Sequence, residues 1–141
     1  MKNLLSLLLL CNIVLSAEAQ TTTADSATQI AKVYFMRSTG FNGSAQGFTV
    51  FIDDNIVCKL NNKRYSIHEV APGTHRFSVQ FAGKNSKDKA ERIEITAEAG
   101  KTYYIQLIFQ TGLLKNNLYC QEVTENSAKT MLGSLKEDSC K

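Results

Sequence analysis

The amino-acid sequence predicts an all-β protein, a small antiparallel β-sandwich of about seven or eight strands with a short C-terminal helix. From Ala31 onward, apolar residues recur with a period of about two rather than 3.6, as they do along strands. The alternating runs are short and are separated by turn residues at a spacing of about 8–12 residues. This pattern is typical of sandwiches and small barrels. The clean one-face alternation at 74–81 and 91–97 favours two sheets, each with one face in solvent.

The first 19 residues indicate a signal peptide. Lys2 supplies a positive start, an apolar run follows at 4–15, and Ala17 and Ala19 form an A-x-A cleavage pattern just before Gln20. The apolar run is shorter than the roughly 20 residues that a membrane-spanning helix needs. We therefore expect no membrane span and an exported protein, periplasmic or extracellular, that begins at Gln20.

Cys11 leaves a lipid anchor in the envelope as the alternative to free secretion. A lipoprotein signal needs small residues before its cysteine, because the peptidase pocket must accept them. Leu10 is too bulky for that position. Lipidation at Cys11 would nevertheless place the same domain on a membrane surface, so the two alternatives predict different locations.

Removal of the signal peptide leaves one domain's worth of chain. We expect a flexible leader at 20–30, the sandwich at 31–125 and the C-terminal helix and tail at 126–141. The formal net charge of +3 is mild and gives no strong attraction to nucleic acid or to an anionic membrane. Three lysines lie near Arg92 in one hairpin loop without interleaved aromatic residues, which indicates a solvated loop (Lys84, Lys87 and Lys89).

The first four strands are predicted at 31–37, 48–53, 56–60 and 64–70. A glycine-rich loop at 38–47 separates the first two and has no lysine, so it does not match a phosphate-binding loop. Asp53-Asp54-Asn55 predicts a tight turn, because Asp and Asn tolerate left-handed backbone and hydrogen-bond to their own chain. In the strand that follows, Ile56, Cys58 and Leu60 are expected to share the inward face.

The next four strands are predicted at 74–81, 91–97, 102–110 and 118–123. Pro72 and Gly73 suit positions i+1 and i+2 of a type II turn, with the positive φ at the glycine. In the strand at 102–110, Tyr103 and Ile105 are expected in the core, and Tyr104 is either exposed or covered by the C-terminal helix. Because that strand is apolar on both faces, we expect it to be central.

The predicted helix spans 126–136, with Asn126 or Ser127 as its cap. Its apolar residues recur at three- and four-residue steps (Ala128, Met131, Leu132 and Leu135).

The mature chain would keep three cysteines, which allow three pairings that each leave one thiol over. We expect Cys120 to pair with Cys140, because the helix is long enough to bring the tail back beside the last strand. Cys58 is expected to stay buried and reduced. The chain lacks a C-x-x-C motif and a paired histidine motif, so the sequence predicts neither a metal site nor a cofactor.

The sequence offers no catalytic constellation. His75 follows the Pro72-Gly73 turn, and we interpret it as a structural residue that hydrogen-bonds the turn backbone rather than as a catalytic base. Asp53 and Asp54 are adjacent at a strand end and point to opposite sides, so they cannot flank one bond. No serine lies on a G-x-S-x-G elbow. We therefore expect a protein that is not an enzyme.

Several segments carry a resemblance to a known family. They include Val33-Tyr34 with Arg37, Val50, Ile52 and Asp53-Asp54-Asn55, Leu60, Asn62 and Tyr65, Val70-Ala71-Pro72-Gly73-Thr74-His75, and Ala99-Gly100-Lys101-Thr102-Tyr103-Tyr104-Ile105. Over roughly 31–123, the chain resembles the bacterial domain of unknown function 2846. The P-G-x-H turn is also similar to PEGA-type surface repeats, which have a transthyretin-like sandwich. The resemblance implies an exported, often lipidated, envelope domain with no known activity, although this chain lacks a good lipobox.

These observations predict an exported, non-enzymatic binding module or structural accessory of the envelope or the extracellular space. Its partner would be another protein, contacted by the loops at the ends of the sandwich. A structural accessory would use its spare cysteine to link to that partner. A hydrolase is the remaining alternative.

Overall fold

The computed structural model describes residues 30–41, 44–81, 92–114 and 116–140. Its strands are β1 (Ala31–Arg37), β2 (Phe48–Ile52), β3 (Asn55–Leu60), β4 (Arg64–Val70), β5 (Gly73–Phe81), β6 (Arg92–Ala97), β7 (Thr102–Gln110), β8 (Asn117–Glu122) and β9 (Lys136–Glu137), and helix α1 is Glu125–Leu132. The eight predicted strands are confirmed, and β9 is an addition. The predicted signal peptide, Cys11 and the three loop lysines lie outside the described residues.

The strands form a five-stranded sheet in the order β8-β7-β1-β4-β9 and a four-stranded sheet in the order β3-β2-β5-β6. The sandwich class is therefore confirmed, but the expectation of purely antiparallel pairing is wrong. The larger sheet is mixed, because β1 pairs in parallel with β7 and β4 pairs in parallel with β9. Parallel neighbours need a long crossover, and here all of β2 to β6 connects β1 to β7. Strand β7 lies inside the sheet, as its apolar faces predict.

The core lies between the inner faces of the two sheets. Its fully buried side chains come from both sheets (Val33, Phe35, Phe48, Val50, Phe77, Val79, Ile105 and Leu107). The rings of Phe35 and Phe77 meet edge to face across the sandwich, with centroids 5.9 Å apart. Apolar contact of this kind between two sheets is what stabilises a sandwich.

Arg37 is also fully buried, at the end of β1. Its guanidinium lies 3.4 Å from the centre of the Phe48 ring, and its Nη1 donates a hydrogen bond of 2.7 Å to the carbonyl oxygen of Leu60. Burial lowers the pKa of Arg37 to about 10, so the side chain stays charged at neutral pH. Arg37 therefore ties β1 to β2 and β3 across the two sheets.

Helix α1 packs on the outer face of the five-stranded sheet, where Ala128 is buried against Met36 with Tyr104 beside them. Tyr104 thus lies under the helix, which is one of the two alternatives that the sequence left open. The predicted cap is wrong, because the helix begins earlier. Thr124 is the N-cap, and its side chain accepts a hydrogen bond from the backbone N–H of Ser127.

The C-terminal tail forms a disulfide that differs from the predicted one. Cys140 is bonded to Cys58, with their Cα atoms 4.7 Å apart, and Cys120 is free and buried. The prediction of a Cys120–Cys140 bond with Cys58 reduced was wrong because of the path of the chain. Helix α1 carries the chain across the sheet from β8 to the opposite edge, where β9 pairs with β4. Cys140 therefore ends beside β3 of the other sheet, whereas Cys120 lies on β8 at the opposite edge of the five-stranded sheet.

A β-bulge in the β2–β3 pair explains a second difference. Val50 pairs with Cys58 and Phe51 pairs with Ile56, so β3 has one extra residue at this point. Because of the extra residue, the side chains of β3 before the bulge no longer keep the inward and outward alternation of those after it. Cys58 and Leu60 are buried as expected, but Ile56 is 67 % exposed.

The turn at Gly73 supports a direct test. Gly73 has φ +138°, which is positive as expected but well above the roughly +80° of the predicted type II turn. A Cβ added there would meet nothing within 4 Å. The backbone conformation, rather than the space, therefore restricts the residue type. We expect Gly73→Val to cost about 1–3 kcal/mol and to lower soluble yield and melting temperature more than Thr74→Val does. Equal losses in both variants would contradict this account.

Candidate functional site

The polar candidates from the sequence meet at one end of the sandwich. A shallow cleft of about 380 Å³ opens there between the β2–β3 turn, the end of β4 and the start of β5. Its polar lining includes Asp53, His68, Glu69 and His75. The sequence pointed to Asp53 and His75 separately, and the fold brings them into contact.

His75 uses both of its ring nitrogens. Nδ1 lies 2.6 Å from Oδ2 of Asp53, and Nε2 lies 2.8 Å from the carbonyl oxygen of Ala71. Both partners are acceptors, so the arrangement suits an imidazolium that donates to each. The expected hydrogen bond from His75 to the turn backbone is confirmed. The bond to Asp53 could not be seen in the sequence, because strand pairing rather than local pattern joins residues 22 positions apart.

The two groups shift each other's protonation. The hydrogen bond to Asp53 raises the pKa of His75, and burial opposes it only in part. Burial also raises the pKa of Asp53, but the backbone N–H of Arg76 and the side chain of His75 outweigh this effect and hold that pKa below its ordinary value. The charged forms of both residues are therefore favoured together.

Asp54 also contacts Arg76, through the side chain rather than the backbone of that residue. Its carboxylate accepts a hydrogen bond of 2.9 Å from Nη2 of Arg76, and Nη2 of Arg92 lies 3.5 Å away. Both carboxylates hold the β2–β3 turn against β5.

The chemistry of the pair follows from these contacts. A general base needs an unshared lone pair directed at a substrate proton. An imidazolium that donates to Asp53 and to the Ala71 carbonyl has none. His75 is therefore placed to lock the turn between β4 and β5 to the turn between β2 and β3.

This lock makes stability depend on pH. Because the pKa of His75 is raised above its ordinary 6.5, its contribution is complete below about pH 6.5 and is lost as pH rises through the folded-state pKa. Asp53 contributes above its ordinary pKa of 3.8, and that contribution is lost as pH falls through the lowered value. We expect the melting temperature to fall from pH 6 to pH 9. The free energy of unfolding should decrease by only about 1 kcal/mol over this range, because Asp53 is partly exposed and solvent screens the ion pair. His75→Gln should remove this slope, and equal slopes in both proteins would contradict the assignment.

The opposite end of the sandwich presents apolar side chains. Strands β1 and β7 are parallel neighbours, with Arg37 paired to Leu107, so the loops that follow them leave the sheet at the same end. Phe41 in the first loop is 96 % exposed, and Leu113 and Leu114 in the second are fully exposed. We call these three residues the apolar loop patch. The sequence indicated the loops as contact surfaces but did not single out these side chains.

One group of side chains could hold a metal ion, although the sequence predicted none. Ligand atoms of Cys58, His68 and Cys140 all lie within 4.8 Å of one another, and the two sulfurs are joined in the disulfide. Burial lowers the pKa of His68, so its imidazole is neutral at physiological pH. The parallel β4–β9 pair is what brings Cys140 to this position.

Among the described residues, no helix has the length and apolar character that crossing a bilayer requires.

Fold and side chains together define a small mixed β-sandwich with a charged turn lock at one end and exposed apolar loops at the other. The chain belongs to the family described as protein of unknown function (DUF2846), whose family model matches residues 27–119. The resemblance expected from the sequence is thereby confirmed. Helix α1, β9 and Cys140 lie beyond the matched residues. No curated protein matches the chain.

Proposed function

We propose that this protein is an exported, non-enzymatic module that binds another protein of the envelope or the extracellular space. The observation that carries the proposal is the apolar loop patch. Exposed apolar side chains that gather at one place on a soluble domain mark interaction sites. Phe41 follows β1, and Leu113 and Leu114 follow β7, so all three lie at the same end of the sandwich.

The Cys58–Cys140 bond supports the proposed export. Disulfides persist in oxidising compartments and are rare in the cytoplasm of mesophiles. An exported protein requires a targeting segment, and the sequence before Gln20 has the features of one. The two observations are independent, because one is a side-chain contact and the other is a sequence pattern.

Processing of the N-terminus tests the export. We expect the mature protein to begin at Gln20, and mass spectrometry of its N-terminal peptide decides this. A retained signal segment would contradict export. A diacylglyceryl group on Cys11 would replace free secretion with a lipid anchor.

The charged turn lock supports a role without catalysis. Both ring nitrogens of His75 are already bonded within the protein. The accessory role that depended on a spare cysteine loses support, because Cys120 is buried and burial raises the pKa of its thiol. A thiol of that kind is shielded from a partner.

Quantitative capture from envelope and culture fractions tests the binding. The bait is the oxidised protein, compared with a triple variant, Phe41→Ser with Leu113→Ser and Leu114→Ser. Ile56→Ser is the matched control, because Ile56 is an exposed apolar residue at the opposite end, on the turn side of β3. All three baits should melt at similar temperatures.

We expect at least one protein to be retained equally by the wild type and the Ile56 variant, and about tenfold less by the triple variant. A tenfold loss corresponds to about 1.4 kcal/mol of binding free energy. Burial of three apolar side chains in an interface is sufficient to supply this amount. Equal retention by all baits, or loss only with Ile56→Ser, would overturn the proposal.

A further inference from the structure

The disulfide edge of the sandwich has an imidazole placed beside it. His68 lies on β4 and points into the sandwich, where its ring meets the Phe35 ring with centroids 5.6 Å apart. Cys58 is on β3 of the facing sheet, and Cys140 arrives from the C-terminal tail. Three separate segments thus bring two sulfurs and one ring nitrogen within 4.8 Å of one another.

We propose that reduction of the Cys58–Cys140 bond converts this edge into a binding site for Zn²⁺, with the two cysteine sulfurs and His68 as ligands. Thiolate and imidazole are the ligands that zinc prefers, and three protein ligands leave a fourth position for water. The site goes beyond the proposed binding role and does not depend on it. Its oxidised form is the disulfide seen here.

The surroundings of His68 suit a metal ligand. A histidine that binds a metal through one nitrogen usually holds a hydrogen bond through the other. Nε2 of His68 already lies 3.0 Å from Oγ of Ser66, which is buried. The ring is therefore oriented by a neighbour on its own strand before any metal arrives.

The positions of the cysteines allow the change. Cys58 is buried in a strand, whereas Cys140 is only partly buried and lies after the two-residue strand β9. Its sulfur can move away from Cys58 without displacing a strand. His68 also lines the cleft, which offers a route for the ion.

An external dithiol supplies the two electrons that reduce the Cys58–Cys140 disulfide to two thiols. One thiolate of the dithiol attacks Sγ of Cys140, the S–S bond breaks, and Cys58 leaves as a thiolate that takes up a proton. The second thiol of the reagent then displaces Cys140, so the reagent becomes a disulfide and two cysteine thiols result. Binding of Zn²⁺ replaces the two thiol protons.

Competition with a chromophoric chelator tests the site, with Zn²⁺ as the probe and the full mature protein as the sample. We expect the reduced protein to bind one Zn²⁺ per chain and the oxidised protein to bind at least a hundredfold more weakly. His68→Gln and Cys140→Ser should each weaken binding to the reduced protein at least tenfold. His75→Gln and Cys120→Ala are the controls, and they should bind as the wild type does.

A second measurement guards against loss of folding on reduction. Zn²⁺ should raise the melting temperature of the reduced wild type but not that of reduced His68→Gln, because a ligand that binds the folded state stabilises it. Equal Zn²⁺ binding by oxidised and reduced protein would overturn the proposal. So would a reduced protein that folds but binds no Zn²⁺, or binding that does not change with His68→Gln.

Discussion

Cys140→Ser should lower the free energy of unfolding by about 4–5 kcal/mol, the largest effect that we expect from a single change in the tail. The Cys58–Cys140 bond spans 82 positions of sequence, so it removes a large amount of chain entropy from the unfolded state. It also fixes the tail between the edges of the two sheets, where β9 adds only two residues to the pairing. Urea denaturation of the oxidised proteins measures the difference.

A reductant supplies the control for this result. Dithiothreitol should bring the wild type down to the stability of Cys140→Ser and should leave that variant unchanged. Cys120→Ala should keep the full response to dithiothreitol, because Cys120 is outside the bond. A wild type whose stability does not respond to dithiothreitol, or a Cys140→Ser protein as stable as the wild type, would contradict the pairing.

Phe77→Ala should destabilise the fold by about 3–5 kcal/mol, the usual range for a buried phenylalanine. Phe77 is fully buried on β5 and meets Phe35 of the facing sheet edge to face. Removing the ring therefore leaves a cavity where the two sheets pack together. Equilibrium denaturation under oxidising conditions measures the loss while the disulfide is intact.

Phe41→Ala is the matched control for this variant, because the same ring is removed from a position that is 96 % exposed. Its free energy of unfolding should stay within about 0.5 kcal/mol of wild type. If both variants lose equal stability, or if Phe77→Ala melts as the wild type does, the assignment of the inward face of β5 is wrong.

Local patterns in the sequence predicted which residues form strands and, on most strands, which face is buried. Alternation in 74–81 correctly placed Phe77 and Val79 in the core, since the period of a strand decides its faces. The expectation that the other face lies in solvent was wrong for Ser78 and Gln80, which are buried as well. Turn chemistry also predicted the positive φ of Gly73, but its value of +138° differs from the roughly +80° of a type II turn. At β3 the same reasoning failed for Ile56, because a bulge changes the count between partner strands and leaves no mark in the strand's own sequence.

Contacts between distant segments could not be predicted in this way. The pairing of Cys140 depends on which edge of the sheet the tail reaches after α1, and a strand pattern does not specify the order of strands. The Asp53–His75 contact and the approach of His68 to Cys58 depend on the same order. The burial of Arg37 is the clearest case of a feature that the strand pattern could not predict, because it depends on the Phe48 ring and the Leu60 carbonyl of the other sheet.

Peptide mapping of protein recovered from outside the cytoplasm tests the central claim, an exported sandwich closed by its own C-terminal tail. Cells are treated with an alkylating agent before lysis, and the unreduced protein is digested and analysed by mass spectrometry. We expect a peptide pair joined through Cys58 and Cys140, with Cys120 unlinked. A Cys120–Cys140 pair, or three alkylated cysteines in protein from that compartment, would contradict the account.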